Sequence, residues 1–144
     1  MNHVVGLALI GAVAWGFWAV FADIATESMA PEAAMIVSYT VGIGVAVLYV
    51  LYRGTTVFGN DPTAIGVAGL AGVASGIGAV AYYAALQAGS AGVATTITAM
   101  YFVVAAGLGV VVLGESLAIT DVAGVGAAVV AVGLADLYAR FPLR

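Results

Sequence analysis

Five apolar runs, each long enough to cross a lipid bilayer, fill almost all of this 144-residue chain. They extend from about Val4 to Ala22, Pro31 to Tyr52, Pro62 to Leu86, Ser90 to Leu113 and Val122 to Tyr138. A crossing needs roughly 20 apolar residues to traverse about 30 Å of hydrocarbon. Within that hydrocarbon the backbone polar groups have no water to bond, so an open chain crosses as α-helices. The residues are 65% hydrophobic and 7% charged, a balance that excludes an ordinary soluble fold and leaves almost nothing for an extramembrane domain. The expectation is an all-α polytopic membrane protein, a bundle of five transmembrane helices forming a single domain over residues 1–144. The start, Met1 to Gly16, contains Ala12-Val13-Ala14, which mimics a cleavage site, but it lacks a basic leading segment and its apolar run continues beyond it. It reads as a retained first span.

The breaks between runs carry helix-boundary chemistry. Asp23 to Ser28 is a polar cluster closing the first run. Pro31 suits a first helical position, with Glu32 placed near the positive end of the helix dipole. Tyr49, Tyr52 and Arg53 form an interfacial belt before Gly54, and Asp61-Pro62 repeats the start signal. Gly89 suits a helix end and Ser90 an N-cap, predicting a tight antiparallel hairpin between helices three and four. Gly114-Glu115-Ser116 closes the fourth run, and Asp121 is placed to cap a fifth helix from about Val122. No proline lies inside a span, whereas glycine is frequent. Gly72 and Gly76, with Gly69 nearby, make a pattern that suits close helix packing.

Cysteine and lysine are absent, and the basic residues are Arg53, Arg140 and Arg144. That removes disulfides, thiolate metal sites and cysteine nucleophiles, and leaves no basic patch for nucleic acid. Acidic loops without lysine, amid much Gly, Ala and Val, match haloarchaeal usage. No cofactor or metal is expected.

Polar and aromatic residues nevertheless lie deep in the spans. Gly72, Ser75, Gly76, Ala79 and Tyr82 recur at three and four on helix three, with Tyr83 at the edge of that face. Thr95, Thr98 and Tyr101 follow at threes on helix four. Trp15 and Trp18 lie too deep in helix one for a headgroup belt, and Ser38, Tyr39 and Thr40 give helix two its own polar band. Singly, such hydroxyls bond back to their own helix carbonyls and such rings fill volume. Together, polar groups at similar depth on four helices point to a shared pocket or path. The candidate binding residues are therefore Trp15, Trp18, Tyr39, Ser75, Tyr82, Tyr83, Thr95, Thr98 and Tyr101. No carboxylate occupies a helix centre: Asp23, Glu115 and Asp136 all fall near span ends, where Asp23 or Glu27 can gate an entrance. Asp136 and Arg140 have the spacing of a helical ion pair.

Intramembrane proteolysis does not fit. A serine protease needs a histidine within the bundle, and the sole histidine is His3 at the chain start. An aspartyl protease needs two embedded aspartates, and Gly133-Leu134-Ala135-Asp136 has no second one suitably placed. The chain is not expected to be an enzyme.

Ala14-Trp15-Gly16, Pro31, the stretch Tyr83-Ala84-Ala85-Leu86-Gln87-Ala88-Gly89-Ser90-Ala91 and Leu113-Gly114-Glu115 together resemble an EamA-like domain of the drug/metabolite transporter superfamily, in size its single-domain, five-span bacterial and archaeal type. The resemblance runs through nearly the whole chain. Where that family usually has proline in helix four, this sequence has Phe102 after Tyr101, and the family's frequent arginine of helix two is replaced around Ser38 or Tyr39. The family typically carries two such domains per chain in inverted orientation and moves small metabolites through a central cavity. The resemblance thus implies half of a ten-helix inverted-repeat transporter, resident in the cell membrane as a multi-pass protein.

Five helices cannot be divided into two inverted halves, so a second copy is the expected partner. Arg53 and the amino terminus fall on one side, Arg140 and Arg144 on the other, a weak bias that suits insertion both ways as an antiparallel homodimer. The remaining partners expected are membrane lipid and a small-molecule substrate, neutral or zwitterionic, with no nucleic acid. The competing reading is a non-transporting membrane subunit whose glycine-rich faces bind other spans.

Overall fold

The computed structural model of the chain describes residues 3–57, 59 and 61–140, with the side chains of all of these except 135, 136 and 138–140. The Asp136–Arg140 ion pair expected from the sequence lies outside the described residues. Six helices follow one another: α1 (His3–Thr26), α2 (Pro31–Arg53), α3 (Pro62–Ala88), α4 (Ala91–Thr98), α5 (Tyr101–Leu113) and α6 (Ile119–Arg140). No strand occurs among the described residues. The three first helices, and the stretch Ala91–Leu113 taken as one, are long and apolar enough to cross a membrane, and a shorter apolar stretch, Ile119–Leu134, follows in α6. The chain is an all-helical membrane bundle.

The helices begin and end for local reasons. Pro31 opens α2, where its missing N–H costs nothing, and Glu32 sits in the first turn. Gly54, at φ +63°, closes α2: its N–H reaches the Leu51 carbonyl and the Thr55 N–H reaches the Val50 carbonyl. That pair of bonds makes a Schellman motif and requires a left-handed residue. Asp61 precedes α3 and its Oδ1 accepts from the Thr63 N–H at 3.2 Å, the N-cap anticipated from Asp61-Pro62. Ser90 caps α4 in the same way, accepting from the Val93 N–H at 3.4 Å.

Two departures from the sequence reading have physical causes. Helix α6 starts at Ile119, three residues ahead of the expected Val122, because Asp121 works from inside the first turn: its Oδ2 accepts from the Ala118 N–H at 2.8 Å. This is the reach-back half of a capping box, with an aspartate in the usual glutamate place. The fourth span, expected as one helix, is interrupted between α4 and α5. Ala99 and Met100 have φ, ψ near −57°, −15°, the tight geometry of a 3₁₀ turn. Across them the Met100, Phe102 and Val103 N–H groups bond three residues back, to Ile97, Ala99 and Met100. The cause lies in the preceding turn, Thr95-Thr96-Ile97-Thr98, four β-branched residues in succession. Thr96 Oγ1 bonds back to the Gly92 carbonyl at 2.7 Å, a contact that bends helices.

The chain groups into two compact units, residues 1–88 and 89–144. In the first, α1, α2 and α3 pack pairwise. Its buried side chains are Ala19 and Ala22 of α1, Ala34 of α2, and Ala79, Tyr82, Tyr83 and Leu86 of α3. Small residues let helix backbones approach, and the two tyrosines fill the remaining space. In the second unit α4 packs on α6. There Gly114, at φ +68°, turns the chain so that the Glu115 N–H reaches the Gly109 carbonyl at 3.1 Å.

The glycine pattern of α3, expected to serve close helix packing, is not used for it within this chain. A Cβ added at Gly69, Gly72 or Gly76 would meet nothing within 4 Å, so close packing within this chain is not what those glycines provide. Besides Gly59 between α2 and α3 (φ +104°), positive φ strains residues other than glycine at two helix ends, Gly54 and Gly114. Substituting either by alanine is expected to destabilise the chain by ~1 kcal/mol, the left-handed penalty for an L-residue. Gly42→Ala, at an open helical position, is expected to leave stability unchanged or raise it. Denaturation followed by circular dichroism in detergent distinguishes these outcomes.

Candidate functional site

The deepest feature of the first unit is a junction of three helices. Trp18 lies eight residues before the end of α1, Ser38 seven after the start of α2, and Tyr82 six before the end of α3. At 1.5 Å per residue each is roughly 10 Å below the helix ends on one side. Antiparallel neighbours thus deliver the three to one level. The Trp18 indole N–H donates to Ser38 Oγ at 2.9 Å. Its ring stacks on Tyr82, centroids 5.0 Å apart at 24°, and meets Tyr83 nearly edge-on at 5.9 Å and 71°. Tyr82 and Tyr83 are themselves perpendicular at 6.1 Å and 86°. Both offset and edge contacts satisfy the ring quadrupoles.

Tyr83 is 1% exposed, the largest fully buried side chain described. It lines a groove of about 200 Å³ together with Pro31, Glu32, Met35, Val80, Ala84 and Gln87. Beside it, a wider recess of about 370 Å³ is lined by Asp23, Thr26, Glu27, Leu86 and Gln87. Gln87 lines both, so the two adjoin at the end of α3, and Tyr83 belongs to both the groove and the aromatic junction.

The nine sequence-derived candidates divide among several environments. Trp18, Tyr82 and Tyr83 are brought together as described. Trp15 is 64% and Tyr39 40% exposed, and Ser75 also lies on the outer surface of the first unit. In the second unit Thr95 is half-buried, while Thr98 and Tyr101 are exposed on either side of the Ala99–Met100 interruption. Ser38, noted in the polar band of helix two but not counted among the binding residues, is the hydrogen-bond partner that sequence reasoning missed. The signal was available: a mid-membrane indole needs an acceptor, and Ser38 is the hydroxyl at its depth on the adjoining antiparallel helix. Asp23 and Glu27, anticipated as entrance residues, do line the recess, and Glu32 and Gln87 join them from α2 and α3.

The Trp18–Ser38 bond and the ring contacts should be energetically coupled. A double-mutant cycle of Trp18→Phe and Ser38→Ala, read by unfolding in mixed micelles, is expected to give a coupling of about 0.6 kcal/mol, typical for hydrogen bonds between membrane helices.

The sequence matches the model of the EamA-like transporter family over residues 3–135. No match was found among curated proteins or among solved structures. The chain therefore belongs to the EamA-like transporter family, and with its apolar spans it is an integral membrane protein.

Proposed function

We propose that this member of the EamA-like transporter family moves small metabolites, neutral or zwitterionic, across the cell membrane by alternating access, working as an antiparallel homodimer with a central cavity. The observation that carries the reading furthest is the interrupted fourth span. Irregular backbone at membrane depth is tolerated where it faces protein or a hydrated cavity, and discontinuous helices recur at the binding sites of transporters. The interruption at Ala99–Met100 stands between Thr98 and Tyr101, two of the candidate binding residues.

Two further features support a paired arrangement. One five-span domain lacks the inverted second half that rocking motions use, and a copy inserted upside down supplies it. The glycine-lined stretch of α3 at Gly69, Gly72 and Gly76 is open, leaving room for a helix of another copy to approach. In the pair, Thr95, Thr98 and Tyr101 supply polar contacts from both chains.

Replacing the row by isosteric apolar residues, Thr95→Val, Thr98→Val and Tyr101→Phe together, is expected to lower solute uptake by reconstituted vesicles at least about tenfold, the effect of losing ~1.4 kcal/mol of hydrogen bonding. Insertion and assembly should be unchanged. Wild-type uptake by the triple variant would overturn the assignment. A reporter fused to the C-terminus should appear on both faces of the cell membrane; a single location would favour a non-transporting subunit that assembles in one orientation.

A further inference from the structure

We propose that Glu115 is a proton-binding site at the end of the fourth span, neutral while its side chain lies on α5 and ionised when the connection to α6 carries it to water. This goes beyond the transport reading above and is tested apart from it. Residues 114–118 form a non-helical connection between α5 and α6, and Glu115 belongs to it. Its side chain nevertheless turns back along the span: a Cβ built on Gly109 would lie 2.6 Å from Glu115 Oε2 and 3.4 Å from its Cδ. Gly109 is four residues, roughly 6 Å, inside the Leu113 end of α5. It is also the one buried residue of that helix. Only a residue without a side chain leaves this seat open. Gly114, at φ +68°, makes the bend that delivers the glutamate to it, and the Glu115 N–H holds the bend by donating to the Gly109 carbonyl at 3.1 Å.

Two independent features of the seat favour a proton over a lasting charge. The described side chains of residues 89–144 include no base, so no ion pair within the second unit neutralises the carboxylate there. The helical neighbours of Gly109 at three and four, Ala105, Ala106, Val112 and Leu113, are all apolar, and an unpaired charge at such a place is costly. The second feature is the helix end itself. α5 presents its negative, carbonyl end at Leu113, which repels an anion. No backbone N–H among the described residues reaches the carbonyls of Val111, Val112 or Leu113. A carboxylate only accepts hydrogen bonds, whereas a protonated carboxyl donates one, so the acid is the form that can serve a carbonyl of that turn. The other ionisable groups of the second unit are differently placed. Asp121, in the first turn of α6, is engaged by the Ala118 N–H at 2.8 Å; Tyr101 stands at the opposite end of α5, and Asp136, Tyr138 and Arg140 at that of α6. Helix α4 has none.

Dicyclohexylcarbodiimide, an apolar reagent, provides the test because it consumes neutral carboxyls. The acid's proton passes to one carbodiimide nitrogen, its oxygen bonds to the central carbon, and an O-to-N acyl shift leaves a stable N-acylurea with no group expelled. The full chain in detergent is treated at neutral pH, and the modified residues are located by tandem mass spectrometry. Glu115 is expected to react at least about tenfold faster than Glu27 or Glu32, which stand at the other end of the spans. Gly109→Ala fills the seat and should bring the rate at Glu115 down to that of Glu27. Alanine in a helix interior costs no stability, and an unchanged melting temperature establishes that the variant folds. Infrared difference spectra read the proton directly: the C=O stretch of a protonated carboxyl should be present in the wild type at neutral pH and missing from Glu115→Gln. Equal labelling of the three glutamates, an infrared band unchanged by Glu115→Gln, or wild-type labelling of folded Gly109→Ala would overturn the proposal. So would protection of Glu115 by sodium chloride relative to choline chloride at one pH, which would make the seat a place for an inorganic cation. None of these readouts uses transport, so the proton site and the transporter assignment fail separately.

Discussion

The indole of Trp18 is the contact on which the first unit depends. In lipid the hydrophobic effect no longer drives helices together, since the acyl chains are as apolar as leucine, and association rests on packing and interhelical hydrogen bonds. Trp18 supplies both at one point: its N–H binds α2 through Ser38, and its faces and edges bind α3 through Tyr82 and Tyr83. Around it the contacting residues Ala19, Ala22, Ala34 and Ala79 are small enough for the backbones to close on the rings. The rest of the surface carries large apolar side chains that face outward, as membrane-embedded helices require.

The same junction fixes the geometry of the entrance. Because α1, α2 and α3 alternate in direction and meet at one depth, the chain places two helix C-termini and one N-terminus at the same end. Asp23, Thr26, Glu27 and Glu32 lie around the α1–α2 connection, and topology brings Gln87 of α3, distant in sequence, to the same end. Thr26 Oγ1 donates to the Asp23 carbonyl at 2.8 Å, so its hydroxyl serves the helix end and leaves the carboxylate to the opening.

Much of the fold was legible in the sequence, because span length and terminal chemistry are local properties. Pro31, Arg53-Gly54, Asp61-Pro62, Ser90 and Gly114 each mark a boundary within a residue or two of its place. The start of α6 was misplaced because an aspartate before an apolar run fits the N-cap and the third helical position equally well, and the backbone geometry at Ala118 chooses between them. The interruption of the fourth span was not legible: neither Ala99 nor Met100 breaks helices, and the bend originates in the threonine turn before them. Ring positions at a common depth picked out Trp18, Tyr82 and Tyr83, which the fold brings into contact. What stayed hidden was which helix faces are left uncovered, since nothing in the order of residues says that Gly72 and Gly76 face open space.

The short tight turn at Ala99–Met100 gives the second unit a property that an unbroken helix lacks. Because the Met100 N–H reaches Ile97, one residue short of the regular ladder, the Thr96 carbonyl loses its usual partner from the chain. Segments on either side keep their own ladders, so swivelling one against the other disturbs a few bonds at the waist and none in the shafts. The span is thus jointed in the manner of a toggle, stiff in each arm and soft at the pivot.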